Sequence, residues 1–184
     1  MNRDQAFQLL CEYTRSENLR RHMLGVEAAM RAYAERFGED VEKWGIVGLL
    51  HDFDYERWPT APDHPLQGAA ILAERGYPED VIHAIKSHAD YVTDCPRESL
   101  LDKTLYACDE LEGFISACAM VRPDGIVGMK PKSVRKKMKQ KSFAAAVNRD
   151  DIARGAEELG VDLNEHIQFV IDALTPHAET LGLK

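Results

Sequence analysis

Residues 43–58 read KWGIVGLLHDFDYERW, an apolar run that ends abruptly on His51 and Asp52. Trp44, Ile46, Val47, Leu49 and Leu50 are side chains that belong in a core. An ionisable pair at the end of such a segment costs several kcal/mol unless each member finds a partner. A divalent metal is an obvious partner, because imidazole and carboxylate together suit borderline cations. One carboxylate has two oxygens and can bridge two ions roughly 3.5–4 Å apart. Adjacent helical positions point about 100° apart, so this pair alone does not serve one ion. The remaining ligands must come from other segments.

Those segments read as helices. Leu19, Met23, Val26, Met30, Tyr33 and Phe37 recur at helical spacing, with Gly38 placed as a stop. Pro65 and Pro78 each stand where a first helical turn begins, before LQGAAILAERG and EDVIHAIKSHA. RESLLDKTLYACDELEGFISACA predicts a longer helix, and Asp162 with Glu165 offers a capping-box variant before HIQFVIDAL. No alternating β-type run competes, so the sequence predicts an all-α, single-domain helical bundle over 1–184. Its one marked change in composition, VRPDGIVGMKPKSVRKKMKQKSF, reads as a surface excursion and not as a domain boundary.

A chain of 184 residues with 45% hydrophobic content can bury a sizeable core. The net charge of -8, from 23 basic and 31 acidic residues, argues against a general electrostatic grip on nucleic acid or anionic membrane. We therefore expect no stable nucleic-acid partner and no membrane partner. Cys11, Cys95, Cys108 and Cys118 form no CxxC pair, and MNRDQAFQLL lacks an apolar signal core. Both features predict a cytoplasmic protein with reduced thiols. No Gly-x-Ser-x-Gly elbow or Walker loop is present, and no cysteine has an adjacent histidine in sequence.

Further ligand candidates follow in chain order. His22 lies three residues after Leu19 and four before Val26, on the side of the apolar stripe; alone it reads as a hydrogen-bonded core histidine. His64 precedes Pro65 at a helix start, where capping is the plain explanation. His88 follows Val81 and Ile85 on the core-facing side, whereas His83 points elsewhere and is expected to be solvated. Asp109 borders an apolar face beside Cys108, with Glu110 and Glu112 close by, and alone reads as a surface acid.

Taken in order, RRHMLGVEAAM, GLLHDFDYE, DHPLQGAAIL, IKSHADY and YACDELEG resemble the HD superfamily of metal-dependent phosphohydrolases, from about residue 19 to 115. The superfamily's His, His-Asp doublet and late Asp fall on His22, His51, Asp52 and Asp109. HPLQGAAIL is similar to the His-Pro-x-x-Gly-Ala segment of the HDIG and HD-GYP subgroups, and SHAD takes the place of their next ligand. The resemblance implies one ion on His22, His51, Asp52 and Asp109 and a second on His64 and His88, with Asp52 bridging. Iron or manganese is favoured for so nitrogen- and oxygen-rich a site, ahead of zinc, magnesium, cobalt or nickel.

The implied function is hydrolysis of a phosphoester or phosphoanhydride of a nucleotide or other small phosphorylated metabolite, centred on Asp52 and His51. HDFDYERW lacks the Ile-Gly-Lys that follows the doublet in many relatives, and no GYP signature follows SHAD. Both departures disfavour a cyclic-dinucleotide phosphodiesterase. Asp54 and Glu56 are candidate acceptors for ligand imidazoles, since metal-bound histidine usually needs one. A regulatory module that binds metal or nucleotide without turnover, and a diiron oxygenase, are the alternative readings. In the basic segment Lys132, Arg135, Lys136 and Lys139 share one helical face, with Lys137 turned away. Lys132, Arg135 and Lys136 are the candidates for binding distal phosphates; a solvated face is the plain alternative. His166 and His177 read as packing or surface residues.

Overall fold

A computed structural model of the chain describes residues 2–184, and among them it contains nine α-helices, a short 3₁₀ turn and no strand. The helices are α1 (Arg3–Tyr13), α2 (Glu17–Phe37), α3 (Val41–Leu50), α4 (Asp63–Glu74), α5 (Glu79–Ser87), α6 (Leu100–Met120), α7 (Pro131–Met138), α8 (Arg149–Leu159) and α9 (Leu163–Leu174). The expected all-α class holds. Two compact units divide the chain, the first ending at Tyr106 and the second covering Ala107–Lys184. The division falls inside α6 and not at the glycine- and proline-rich stretch.

In the first unit α2 and α3 form the central pair, and α1 and α5 also pack on α3. Met23, Val26, Met30 and Tyr33 of the stripe are buried, Leu19 and Phe37 lie half-buried at its ends, and Gly38 closes the helix in the left-handed conformation. The α2–α3 contact depends on Gly48. A Cβ there would stand 2.9 Å from the backbone of Val26 and Glu27, so the two helices meet through main chain. Beside this contact the carboxylate of Glu27 is buried and takes Arg3 at 2.7 Å and Arg31 at 2.9 Å, tying α1 to α2.

The turn after α3 is fastened to the junction of α1 and α2. Thr14 Oγ1 donates to the Phe53 carbonyl, and Glu56 Oε2 accepts the backbone N–H groups of Arg15 and Ser16, each at 2.8 Å. Glu56 therefore anchors the start of α2, and its carboxylate is held below the usual range by those backbone bonds, the Ser16 bond foremost. Its expected role as an imidazole acceptor is not what its bonds show.

The second unit packs α7 and α8 on α9. His166 is a packing residue, fully buried with Nε2 2.9 Å from the Ala107 carbonyl, whereas His177 is exposed. Asp162 caps α9 by accepting the backbone N–H groups of Asn164 and Glu165. Helices α1 and α8 were not expected from the apolar spacing, although each starts on an asparagine N-cap, Asn2 and Asn148.

Alanine is the better helix former by roughly 1 kcal/mol, so propensity alone would make Gly48→Ala stabilising. The backbone contact predicts the opposite sign: a loss of about 1–3 kcal/mol by overpacking. Urea denaturation of the variant measures this, and an unchanged or raised midpoint would contradict it.

Candidate metal centre

Four histidine rings of the first unit form a continuous series around Asp52. His22 meets His51 at 5.2 Å between ring centroids, His51 meets His88 at 5.3 Å, and His88 meets His64 at 5.3 Å. Each ring is placed by the end of a helix or by a helical face. His22 projects from α2, where it is half-buried beside Met23. His51 and His88 are the C-caps of α3 and α5. His64 stands at a break in α4, with φ -79° and ψ 134°, directly before Pro65.

The two C-cap histidines meet the same need in the same way. The final carbonyls of a helix lack intrahelical donors. His51 Nδ1 lies 2.8 Å from the Gly48 carbonyl, and His88 Nδ1 makes the equivalent contact with the Ile85 carbonyl. A carbonyl only accepts, so each Nδ1 must carry the hydrogen. In the neutral ring the lone pair is then on Nε2. For His64 the acceptor is Asp54, whose buried carboxylate takes the Nδ1 hydrogen at 2.8 Å.

Asp54 is itself fixed by a second bond. Its Oδ2 accepts the Gly68 N–H at 2.8 Å, and a Cβ on residue 68 would sit 2.8 Å from the Asp54 Cγ. The glycine of HPLQGAA is thus the space into which this carboxylate fits. Of the two expected acceptors Asp54 serves an imidazole, and nothing in the sequence separated it from Glu56 because the difference lies in tertiary contacts.

The Nε2 atoms converge on one carboxylate. Asp52 Oδ1 is 3.1 Å from His64 Nε2 and 3.3 Å from His88 Nε2, while Oδ2 is 3.7 Å from His51 Nε2. Two groups of candidate donors result, His22–His51–Asp52 and Asp52–His64–His88, and within each all donor atoms lie within 4.8 Å of one another. Asp52 belongs to both, with its side chain 17% exposed, while His51, His64 and His88 are buried.

Lone pairs aimed at an ionised carboxylate repel unless a cation or a proton stands between them. The donor set therefore fits a divalent metal, with the histidine tautomers set by the partners that metal ligands usually have. The ionisation pattern agrees. Burial opposes charge on Asp52, but His51, His64 and His88 outweigh it and hold the carboxyl well below its usual range. Burial likewise opposes charge on His64, yet its bonds to Asp52 and Asp54 push the imidazole up to about 9. Without metal, a proton on His64 takes the place of the cation.

Among the other expected ligands, Asp109 lies half-buried in the second unit, next to the buried Cys108. His83 is not simply solvated, because its Nδ1 lies 3.3 Å from Oδ2 of the buried Asp102. That carboxylate also accepts the N–H groups of Glu98 and Ser99, and Ser99 Oγ accepts the Asp102 N–H in return, so His83 leans on the cap of α6. Lys132, Arg135 and Lys136 are exposed on α7 of the second unit, while Lys137 covers the Phe143 ring at 4.5 Å.

Known proteins resemble this part of the chain in sequence. The family profile of the HD domain matches residues 19–113, and the chain belongs to that family. The matched span contains His22, His51, Asp52, His64, His88 and Asp109. Ribonuclease Y from two strains of Nitratidesulfovibrio vulgaris is 34% identical over 102 residues, covering 53% of this chain and 18% of the relative. Ribonuclease Y from Oleidesulfovibrio alaskensis is 33% identical over 104 residues, with the same coverage. The chain thus spans less than a fifth of the length of these curated relatives. No solved structure gave a significant match. No helix among the described residues is long and apolar enough to cross a membrane.

A metal ion must displace the His64 proton. Because that imidazole is raised to about 9, the proton stabilises the metal-free fold below about pH 6.5 and its contribution is lost as pH rises through 9. Metal affinity should therefore climb between pH 7 and 8.5, by about tenfold per unit for each proton displaced. Chelator competition at several pH values measures this. Asp54→Asn should weaken binding by about 10- to 100-fold at fixed pH while helicity is retained. Affinity independent of pH and of Asp54 would contradict the placement of His64.

Proposed function

We propose that the chain is a metal-dependent phosphohydrolase that uses an activated water to cleave a phosphoester or phosphoanhydride of a nucleotide or another small phosphorylated metabolite. The observation that carries this reading is the shared position of Asp52, with one oxygen toward His64 and His88 and the other toward His51. In this reading His22, His51 and Asp52 hold one ion and Asp52, His64 and His88 hold the other. The family resemblance adds Asp109 to the first. Iron or manganese suits the donor set best.

Bound divalent ions would supply Lewis acidity, lowering the pKa of a coordinated water and offsetting charge on phosphoryl oxygens. The chain's own residues prepare that centre in advance. The imidazole neighbours of Asp52 favour its charged form, holding the carboxyl well below its usual range against the opposing effect of burial. His51 and His88 are locked by main-chain carbonyls, and His64 by Asp54, so no ring must reorient when substrate arrives. The Cys95, Cys108 and Cys118 thiols are poor candidates for a nucleophile, since burial foremost pushes each of them up.

Lys132, Arg135 and Lys136 remain the candidates for holding phosphates distal to the scissile bond, as exposed cations on one short helix. An RNA phosphodiester is a second substrate class, favoured by the likeness to ribonuclease Y. Attack of water on phosphorus serves either class.

Asp52→Ala should abolish phosphate release and lower the metal content while leaving the helical circular dichroism nearly unchanged; full activity in this variant would contradict the metal reading. Arg135→Ala and Lys136→Ala should raise KM for a polyphosphorylated substrate well above any change seen with a small aryl phosphate. Equal effects on both substrates would return α7 to a solvated surface.

A further inference from the structure

Among the described residues of the first unit, exposed large apolar side chains are few: Tyr55, Leu66, Tyr91 and Leu100. Isolated examples are ordinary on any protein surface. Here two of the four are fixed to one residue of the metal cluster. The Tyr55 ring stands edge-on to the His64 ring at 5.2 Å and 89°, and the Tyr91 hydroxyl donates to the His64 carbonyl at 2.9 Å. His64 Nε2 in turn lies 3.1 Å from Asp52. Both rings are thus one residue removed from the shared carboxylate, yet Tyr55 is 39% and Tyr91 48% exposed.

Neither ring is loose. Tyr91 lies between Ala89 and Val92, which form a small buried cluster with Cys95. The loop is further held by Arg97, whose guanidinium donates to the Ser87 carbonyl and to Asp90 and stacks over Tyr106 at 3.6 Å. Tyr55 belongs to the turn that Thr14, Arg15 and Ser16 fasten through Phe53 and Glu56. An aromatic ring tethered while partly in water has already lost its rotational freedom, so a flat ligand would order little on binding.

We propose that Tyr55 and Tyr91 form a stacking platform for the base of the substrate, making the natural substrate a nucleobase-bearing phosphoester and not a sugar phosphate. This rests on the hydrolase reading for its chemistry, but the platform itself is tested by binding. Neutral phenol faces suit a base, because they stack on any π-face and do not compete with the metal centre for phosphate charge.

The test uses the full chain. Adenosine and ribose are titrated into the protein by NMR, and adenosine monophosphate and ribose phosphate are compared as substrates of the metal-loaded form. Wild type should bind adenosine and not ribose. Tyr55→Ala and Tyr91→Ala should each weaken adenosine about tenfold, and Tyr91→Phe, which keeps the ring and loses the tether, should fall in between. The kcat/KM preference for adenosine monophosphate over ribose phosphate should shrink in parallel. A short oligoadenylate binding more tightly than the mononucleotide would assign the base to an RNA chain; the reverse would assign it to a free nucleotide. If no phosphoester is cleaved but adenosine binds through both tyrosines, the hydrolase reading fails and the platform stands. If phosphoesters are cleaved without preference for a base and the alanine variants leave adenosine binding unaltered, the platform is overturned.

Discussion

Convergence of several imidazole nitrogens on a single carboxylate is the constraint on which the first unit depends. Asp52 lies between His64 and His88 on one oxygen and His51 on the other. Such an arrangement is stable only with positive charge inside it, supplied by protons or by metal. The chain also fixes which nitrogens face inward. Two backbone carbonyls and one buried carboxylate take the Nδ1 side of three rings, leaving Nε2 for the centre.

The fold serves this constraint through helix ends and close approaches. Ending α3 at His51 and α5 at His88 lets each ring satisfy a terminal carbonyl and reach Asp52 at once. Gly48 brings α2 against α3, so that His22 and His51 meet, and Gly68 admits the Asp54 carboxylate beside α4. Both glycines are set by neighbours on other segments and not by local turn chemistry. An apolar centre of equal volume would be easier to fold. Retaining charged groups there is consistent with a functional site.

Much of the arrangement was legible in the sequence, for identifiable reasons. Apolar spacing placed α2 and its stop because a two-sided helix must repeat near 3.6 residues. The abrupt change from Leu50 to His51 marked the centre because burying such a pair is costly. His22, His51, Asp52, His64 and His88 do come together, while the part of Asp109 is still argued from family resemblance. What the sequence concealed depends on distant contacts. Asp54 and Glu56 look alike in sequence, and only the turn's attachment to Arg15 and Ser16 separates them. His83 looked solvated because its partner Asp102 is 19 residues away. Helices α1 and α8 announce themselves by asparagine caps and not by strong apolar patterning.

The most direct test of the shared carboxylate is a crystal structure of the reconstituted protein with anomalous diffraction recorded at the absorption edge of the bound metal. The account predicts two anomalous peaks roughly 3.5–4 Å apart, one on each side of Asp52. They would be ligated by His22 and His51 on one side and by His64 and His88 on the other. A single peak, with His64 and His88 turned away from it, would contradict the dinuclear centre.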